Sequence, residues 1–227
     1  MENIELGIKN NILLFYREIL NDQHNRYRSW EHCCCQFRTD KSSNDKDFDI
    51  LALHLAFYLA SWGMYRGSSQ LLQKDYKVHL PIVHEIMSER YNVLWNMTFD
   101  NPDEDAEKIN LVLELAKILR QIYMSMEVSP TDTLVTKVML GTFGCIPAYD
   151  TLFVNGITFW NGLPGMYKPK FPARLGVNNY RGLINFYREH KIEIGEAQDF
   201  VARQGVHYPI MKLVDMYFWS LGYQFGR

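Results

Sequence analysis

A chain of 227 residues that is 47% hydrophobic and 14% aromatic carries enough apolar surface for a substantial core, which excludes a disordered or low-complexity protein. Lysine and arginine number 24 against 26 aspartates and glutamates, so the chain as a whole is not a polycation and any contact with nucleic acid must be local. The most apolar run, Ile50 to Met64, is interrupted by His54, Ser61 and Gly63, and the acidic start Met1-Glu2-Asn3-Ile4-Glu5 lacks the features of a secretory leader; together these predict a cytoplasmic protein with no membrane span.

In chain order, Ile4, Ile8, Ile12, Phe15 and Ile19 recur at steps of three or four and predict a first helix ending near Asn21. Tyr27, Trp30 and Phe37 predict a short packed helix, followed by a loose polar loop over 39–46. Asp47 to Trp62 is apolar nearly all round and is the expected central helix. Gly63 and Gly67 break it, and Ser68 or Ser69 can cap a short helix running to Lys74. His79 to Asn96 reads as one helix with Pro81 in its first turn. Asn101-Pro102-Asp103-Glu104-Asp105 combines a cap, a first-turn proline and acids at the positive end of the helix dipole, opening a long helix to about Met126.

Ser129-Pro130-Thr131-Asp132 repeats that logic for a helix that carries Lys137 and stops at Gly141 or Gly144. Asp150 caps a helix from Thr151 to Trp160, the stretch 162–176 is irregular and rich in proline and glycine, and three helices close the chain: Asn178 to His190, Gly195 to Arg203 and Pro209 to Gly222. No hairpin or repeat signal is present. The expected class is all-α, roughly eight to ten helices in a single compact domain over 1–227, with two packed helical lobes as the variant.

Cys33, Cys34 and Cys35 are consecutive and Cys145 is remote, a spacing that suits neither a disulfide framework nor a metal site; no metal or cofactor is expected. Trp62, Trp95 and the methionines read as packing, and His54 and His84 as internal histidines with satisfied nitrogens.

Two turns carry the candidate chemistry. Around Gly141-Thr142-Phe143-Gly144 a glycine turn can expose amides to an anion, with Lys137 before it and Asp150 after it; Tyr149 would help desolvate the carboxylate. At Gly63-Met64-Tyr65-Arg66-Gly67-Ser68-Ser69 an arginine fork and two hydroxyls could take the same anion, forming the opposite wall of one pocket. From Thr151 to Arg188 there is no acid, while Lys168, Lys170, Arg174, Arg181 and Arg188 are basic and interleave with aromatic residues, a pattern suited to DNA or a nucleotide.

The Thr136-Lys137 pair opening an apolar helix, then a short turn, then Pro147-x-x-Asp150 and a further apolar helix, resembles the corresponding stretch of helix-hairpin-helix DNA glycosylase-like proteins. The turn here reads Gly141-Thr142-Phe143-Gly144 where that superfamily has Leu-Pro-Gly-x-Gly. The resemblance implies base excision assisted by an aspartate, matched by Asp150, and in some members a lysine nucleophile, matched by Lys137. The expected ligand residues are Arg66, Ser68, Ser69, Gly144, Tyr149, Lys168, Lys170, Arg174 and Arg181. The rival expectation is a non-enzymatic helical binding or assembly module for a small anion or a protein partner.

Overall fold

The computed structural model describes residues 7–42, 47–66, 70–163 and 170–226. Ten α-helices occur among them, joined by short 3-10 turns, and no described residue is in a strand. They are α1 (Ile8–Asn21), α2 (Arg28–Ser42), α3 (Phe48–Ser61), α4 (Leu80–Ile86), α5 (Asp105–Ser125), α6 (Asp132–Thr142), α7 (Thr151–Gly162), α8 (Val177–Glu189), α9 (Lys191–Ala202) and α10 (Ile210–Phe225). Their apolar faces meet in one continuous core, so the protein is an all-α compact unit.

Side-chain caps set three of the α-helix starts. The Asp47 carboxylate accepts from the amides of Asp49 and Ile50, the Thr131 hydroxyl from Leu134, and the Asp150 carboxylate from Phe153. Asn101 caps a 3-10 turn that leads into α5.

The centre of the molecule is α6. Every residue from Leu134 to Tyr149 is buried, whereas α3, the expected central helix, leaves Ile50, Leu53 and Phe57 exposed on one side. Gly141 makes the tight packing of α6 feasible, because a Cβ there would fall 2.3 Å from the ring of Tyr58 on α3. From the other side, Trp30 on α2 donates its indole N–H to the Leu140 carbonyl at 2.9 Å.

Three segments depart from the sequence reading. Thr39 to Ser42 continue α2, because Trp30, Cys33, Cys34 and Phe37 form a buried stripe that holds a full-length helix; 43–46 lie outside the described residues. The expected helix from His79 to Asn96 is divided at Met87 and Ser88 into α4 and a 3-10 segment, Glu89–Asn96, which turns Tyr91, Leu94 and Trp95 inward. The short helix expected before Lys74 is a 3-10 turn, Leu71–Gln73, preceded by Gln70 rather than by a serine cap.

The α7–α10 crossing governs the site. The two helices run antiparallel with Gly156 against Phe218 and Gly222 against Leu152; a Cβ at either glycine would come within 1.8 Å of the facing carbonyl oxygen. Backbone thus meets backbone, and the strand of chain entering α7, residues 148–150, is drawn across α10.

Candidate functional site

Lys137 sits in the middle of α6 and its side chain reaches the start of α7. Its Nζ lies 3.2 Å from Asp150 Oδ2, with the lysine side chain 4% and the aspartate side chain 17% exposed. Asp150 therefore does two things at once: Oδ1 caps α7 through the Phe153 amide at 3.1 Å, and Oδ2 faces the lysine. The ammonium is further held by the Trp62 carbonyl at 3.4 Å and lies 4.9 Å from the centre of the Trp62 ring.

A second buried pair stands behind the first. Lys212 Nζ is 3.3 Å from Asp215 Oδ2, one turn apart on α10, and both side chains are almost wholly enclosed. Asp215 Oδ1 accepts the Ala148 amide at 2.9 Å, which ties α10 to the chain leading into Asp150. The Lys212 ammonium is otherwise surrounded by rings, with Phe15 and Trp30 at 5.2 Å and Trp62 at 5.6 Å. Burial pushes Lys212 below the ordinary lysine range, and the neighbouring Lys137 adds to this while Asp215 opposes it. Burial pushes the Asp215 carboxyl up, opposed first by Lys212. Both directions favour the less charged form of the inner pair.

Trp62 separates these lysines. Its indole ring stacks on Tyr27 at 5.0 Å, and its buried Nε1 has no hydrogen-bond partner. The turn that places it depends on Gly63, whose φ of +76° lies in the left-handed region. Trp62, Trp219, Lys137 and Asp150 line both a small internal cavity of about 10 Å³ and an open groove of about 440 Å³. The internal cavity has room for about one water molecule. The groove also takes in Arg26, Arg66, Thr133 and Thr151, so three cations face one carboxylate along it.

The structure thus brings Lys137, Asp150 and Arg66 to one groove. Ser68, Ser69 and Lys168 lie outside the described residues. Gly144 is elsewhere: its φ is +68°, its amide is used by the Met139 carbonyl at 3.0 Å, and the Pro209 ring packs against it. The glycine turn is a helix end, not a wall of the Asp150 groove. Tyr149 is buried beside Phe153 with its hydroxyl donating to Asn179, so it braces the backbone before Asp150 and does not line the groove.

Lys170, Arg174 and Arg181 are exposed, and none lines the groove. Arg188 is bound bidentately by Asp105, at 2.6 and 2.9 Å. The aromatic residues between them belong to the interior: Trp160, Phe171, Tyr180, Phe186 and Tyr187 are buried. The expectation that this segment offers stacking rings next to free cations is therefore corrected for its described residues: on α8 the buried rings and the basic residues fall on different faces, and Phe171, in the non-helical stretch between α7 and α8, is buried as well while Lys170 and Arg174 are exposed.

Sequence reasoning missed Lys212, Asp215 and the active placement of Trp62 and Trp219. One signal was available, since Lys212 and Asp215 are the only charged residues in α10 and stand at i, i+3 in an apolar helix. Internal histidine character also falls elsewhere than expected. His84 is exposed and His54 half-buried, whereas His79 is fully enclosed between Tyr65 Oη at 2.9 Å and Tyr123 Oη at 2.8 Å.

No family model, curated protein or solved structure matches this chain.

Proposed function

We propose that the Lys137–Asp150 groove binds a nucleotide unit, presented in DNA or free, and cleaves its N-glycosidic bond. The observation that supports this most is a lysine amine and a carboxylate in contact at 3.2 Å, nearly closed off from solvent, at the floor of a groove with Arg26 and Arg66 at its edge. A phosphate oxyanion fits the arginines, a planar ring fits the tryptophan faces, and the sugar carbon between them falls to the lysine and aspartate.

In this reading Asp150 takes a proton from the Lys137 ammonium it contacts, and the amine so freed adds its lone pair to the sugar C1′ as the C1′–N bond breaks. The departing base keeps the bonding electrons and takes up the proton that Asp150 received, which returns Asp150 to a carboxylate. Asp150 removes the proton that the attached nitrogen sheds, and it offsets positive charge on the sugar. Ring opening then gives an imine, which water hydrolyses to release the enzyme.

The test is incubation with duplex and single-stranded oligonucleotides carrying a panel of altered bases, with and without borohydride, which reduces an imine to a stable crosslink. Wild type is expected to form a crosslink, K137Q none, and D150N to turn over at least about 100-fold more slowly with binding retained. Crosslinking that survives K137Q and vanishes in K212Q would move the nucleophile to the inner lysine. Absence of release and of crosslink on every probe, or wild-type turnover by D150N, would overturn the assignment.

A second reading, an anion-binding module without chemistry, draws on the dimensions of the internal cavity, which admits no base unless Trp62 moves. Phosphate-driven binding that weakens steeply with salt, with no bond cleaved, is its signature.

A further inference from the structure

On another face of the molecule, a cavity of about 330 Å³ lies between α2, the Glu89–Asn96 segment and the start of α10. That volume is in the range of small-molecule sites. Two buried N–H donors on its lining have no partner: Nε of Arg38 and Nε1 of Trp95, the latter in a side chain 5% exposed. Unpaired buried donors are rare and costly, so two on one cavity need an explanation.

The rest of Arg38 sharpens it. Its Nη1 donates to Asn96 Oδ1 at 3.2 Å and its Nη2 to the Phe143 carbonyl at 3.4 Å, both neutral acceptors, and among the described residues no carboxylate pairs with it. The guanidinium is fixed by neutral groups, the Cys34 thiol beside it among them, and its buried Nε has no acceptor among the described residues. The lining also carries His207, Gln198 and the Lys191–Asp100 ion pair, and it is apolar where Leu94, Met97, Phe143 and Met211 meet. Gly144 borders this space, so the anion expectation attached to its turn relocates from backbone amides to the Arg38 and Trp95 side chains.

We infer that this cavity is a second binding site, independent of Asp150, for a small molecule that joins an oxyanion, phosphomonoester or carboxylate, to an apolar body. The oxyanion accepts from Arg38 Nε and Trp95 Nε1, and the apolar body lies against Phe143 and Met211.

The test uses the full chain, phenyl phosphate and benzoate as probes, and the indole N–H resonances in a ¹H–¹⁵N spectrum, with Trp95 assigned through W95F. A saturable shift of the Trp95 resonance is expected with at least one probe. Phenyl phosphate acting alone identifies a phosphomonoester site, benzoate alone a carboxylate site, and both a general oxyanion site. R38M should weaken the response about tenfold or more, the loss of one charge-assisted hydrogen bond. R38K keeps the charge but not the Nε donor and should also weaken it, which covers the case in which R38M does not fold. K137Q should leave it unchanged. Absence of a saturable shift with both probes, or affinity unaltered in folded R38M or R38K, overturns the inference and leaves a cavity that holds only water.

Discussion

Lys137 and Asp150 meet at 3.2 Å because the chain between them, buried throughout, ends α6 and returns to cap α7. The same carboxylate serves as helix cap and as partner of an enclosed ammonium, and these roles separate by substitution. Asparagine caps as well as aspartate but carries no charge. D150N is expected to lose about 1–3 kcal/mol through the ion pair alone, and D150A about 1 kcal/mol more through the cap. Urea denaturation of the two variants checks the order; equal stabilities would show that Asp150 does not cap in solution.

The inner pair obeys a different rule. Asp215 keeps the Ala148 amide if Lys212 is removed, but Lys212 without Asp215 is left against aromatic rings, with the outer Lys137–Asp150 pair across the small cavity. An enclosed charge stripped of its partner costs about 3–5 kcal/mol, whereas replacing both by apolar groups of similar size is close to neutral. D215A should therefore be the more damaging single change, K212M the milder, and K212M/D215L should recover most of the loss. A double-mutant cycle by chemical denaturation measures this, and strictly additive losses would show that the two side chains do not act as a pair.

How far the sequence revealed this arrangement depends on how local each signal is. Caps at Asp47, Thr131 and Asp150 act over three residues, so those helix starts were legible. Lys137 and Asp150 are legible together because one short stretch holds both. Lys212 and Asp215 gain meaning only when α10 packs on the chain before α7, a contact that local spacing does not encode. The central helix was misjudged for a related reason: α3 is apolar all round, but burial of a helix is decided by how many neighbours surround it, and α6 has them on every side. The rings of 151–188 suit ligand platforms by composition, yet Trp160, Phe171, Tyr180, Phe186 and Tyr187 among the described residues form part of the core.

His79 gives a pH dependence with a definite sign. Burial alone drives its imidazole down to about 3 from an ordinary 6.5. The unfolded chain takes up this proton as pH falls below 6.5 and the folded chain does not, so the stabilisation is fully present above pH 6.5 and is lost between 6.5 and 3. The slope from this one group approaches about 1.4 kcal/mol per pH unit. H79Q offers both tyrosines an amide and should flatten the decline of stability between pH 6 and 4, read from urea midpoints. A wild-type slope retained in H79Q would assign the proton uptake to another residue.

The last prediction links the packing of two glycines to the site itself. At Gly156 a Cβ would press on the Phe218 carbonyl at 1.8 Å, and because both partners are backbone, relief requires α7 and α10 to part. G156A should cost about 1–3 kcal/mol or more. Parting the helices also lengthens the reach from Asp215 to the Ala148 amide, which now spans 2.9 Å, and so unsettles the approach to Asp150. Gly195 in α9 is the control: nothing lies within 4 Å of its added Cβ and its backbone is helical, so G195A should stabilise by about 0.5–1 kcal/mol through the unfolded state. Opposite shifts in urea midpoint for the two variants are expected, with slowed exchange of the Ala148 amide kept in G195A and lost in G156A. If G156A is as stable as wild type and protects that amide equally, the close α7–α10 crossing does not hold the site together.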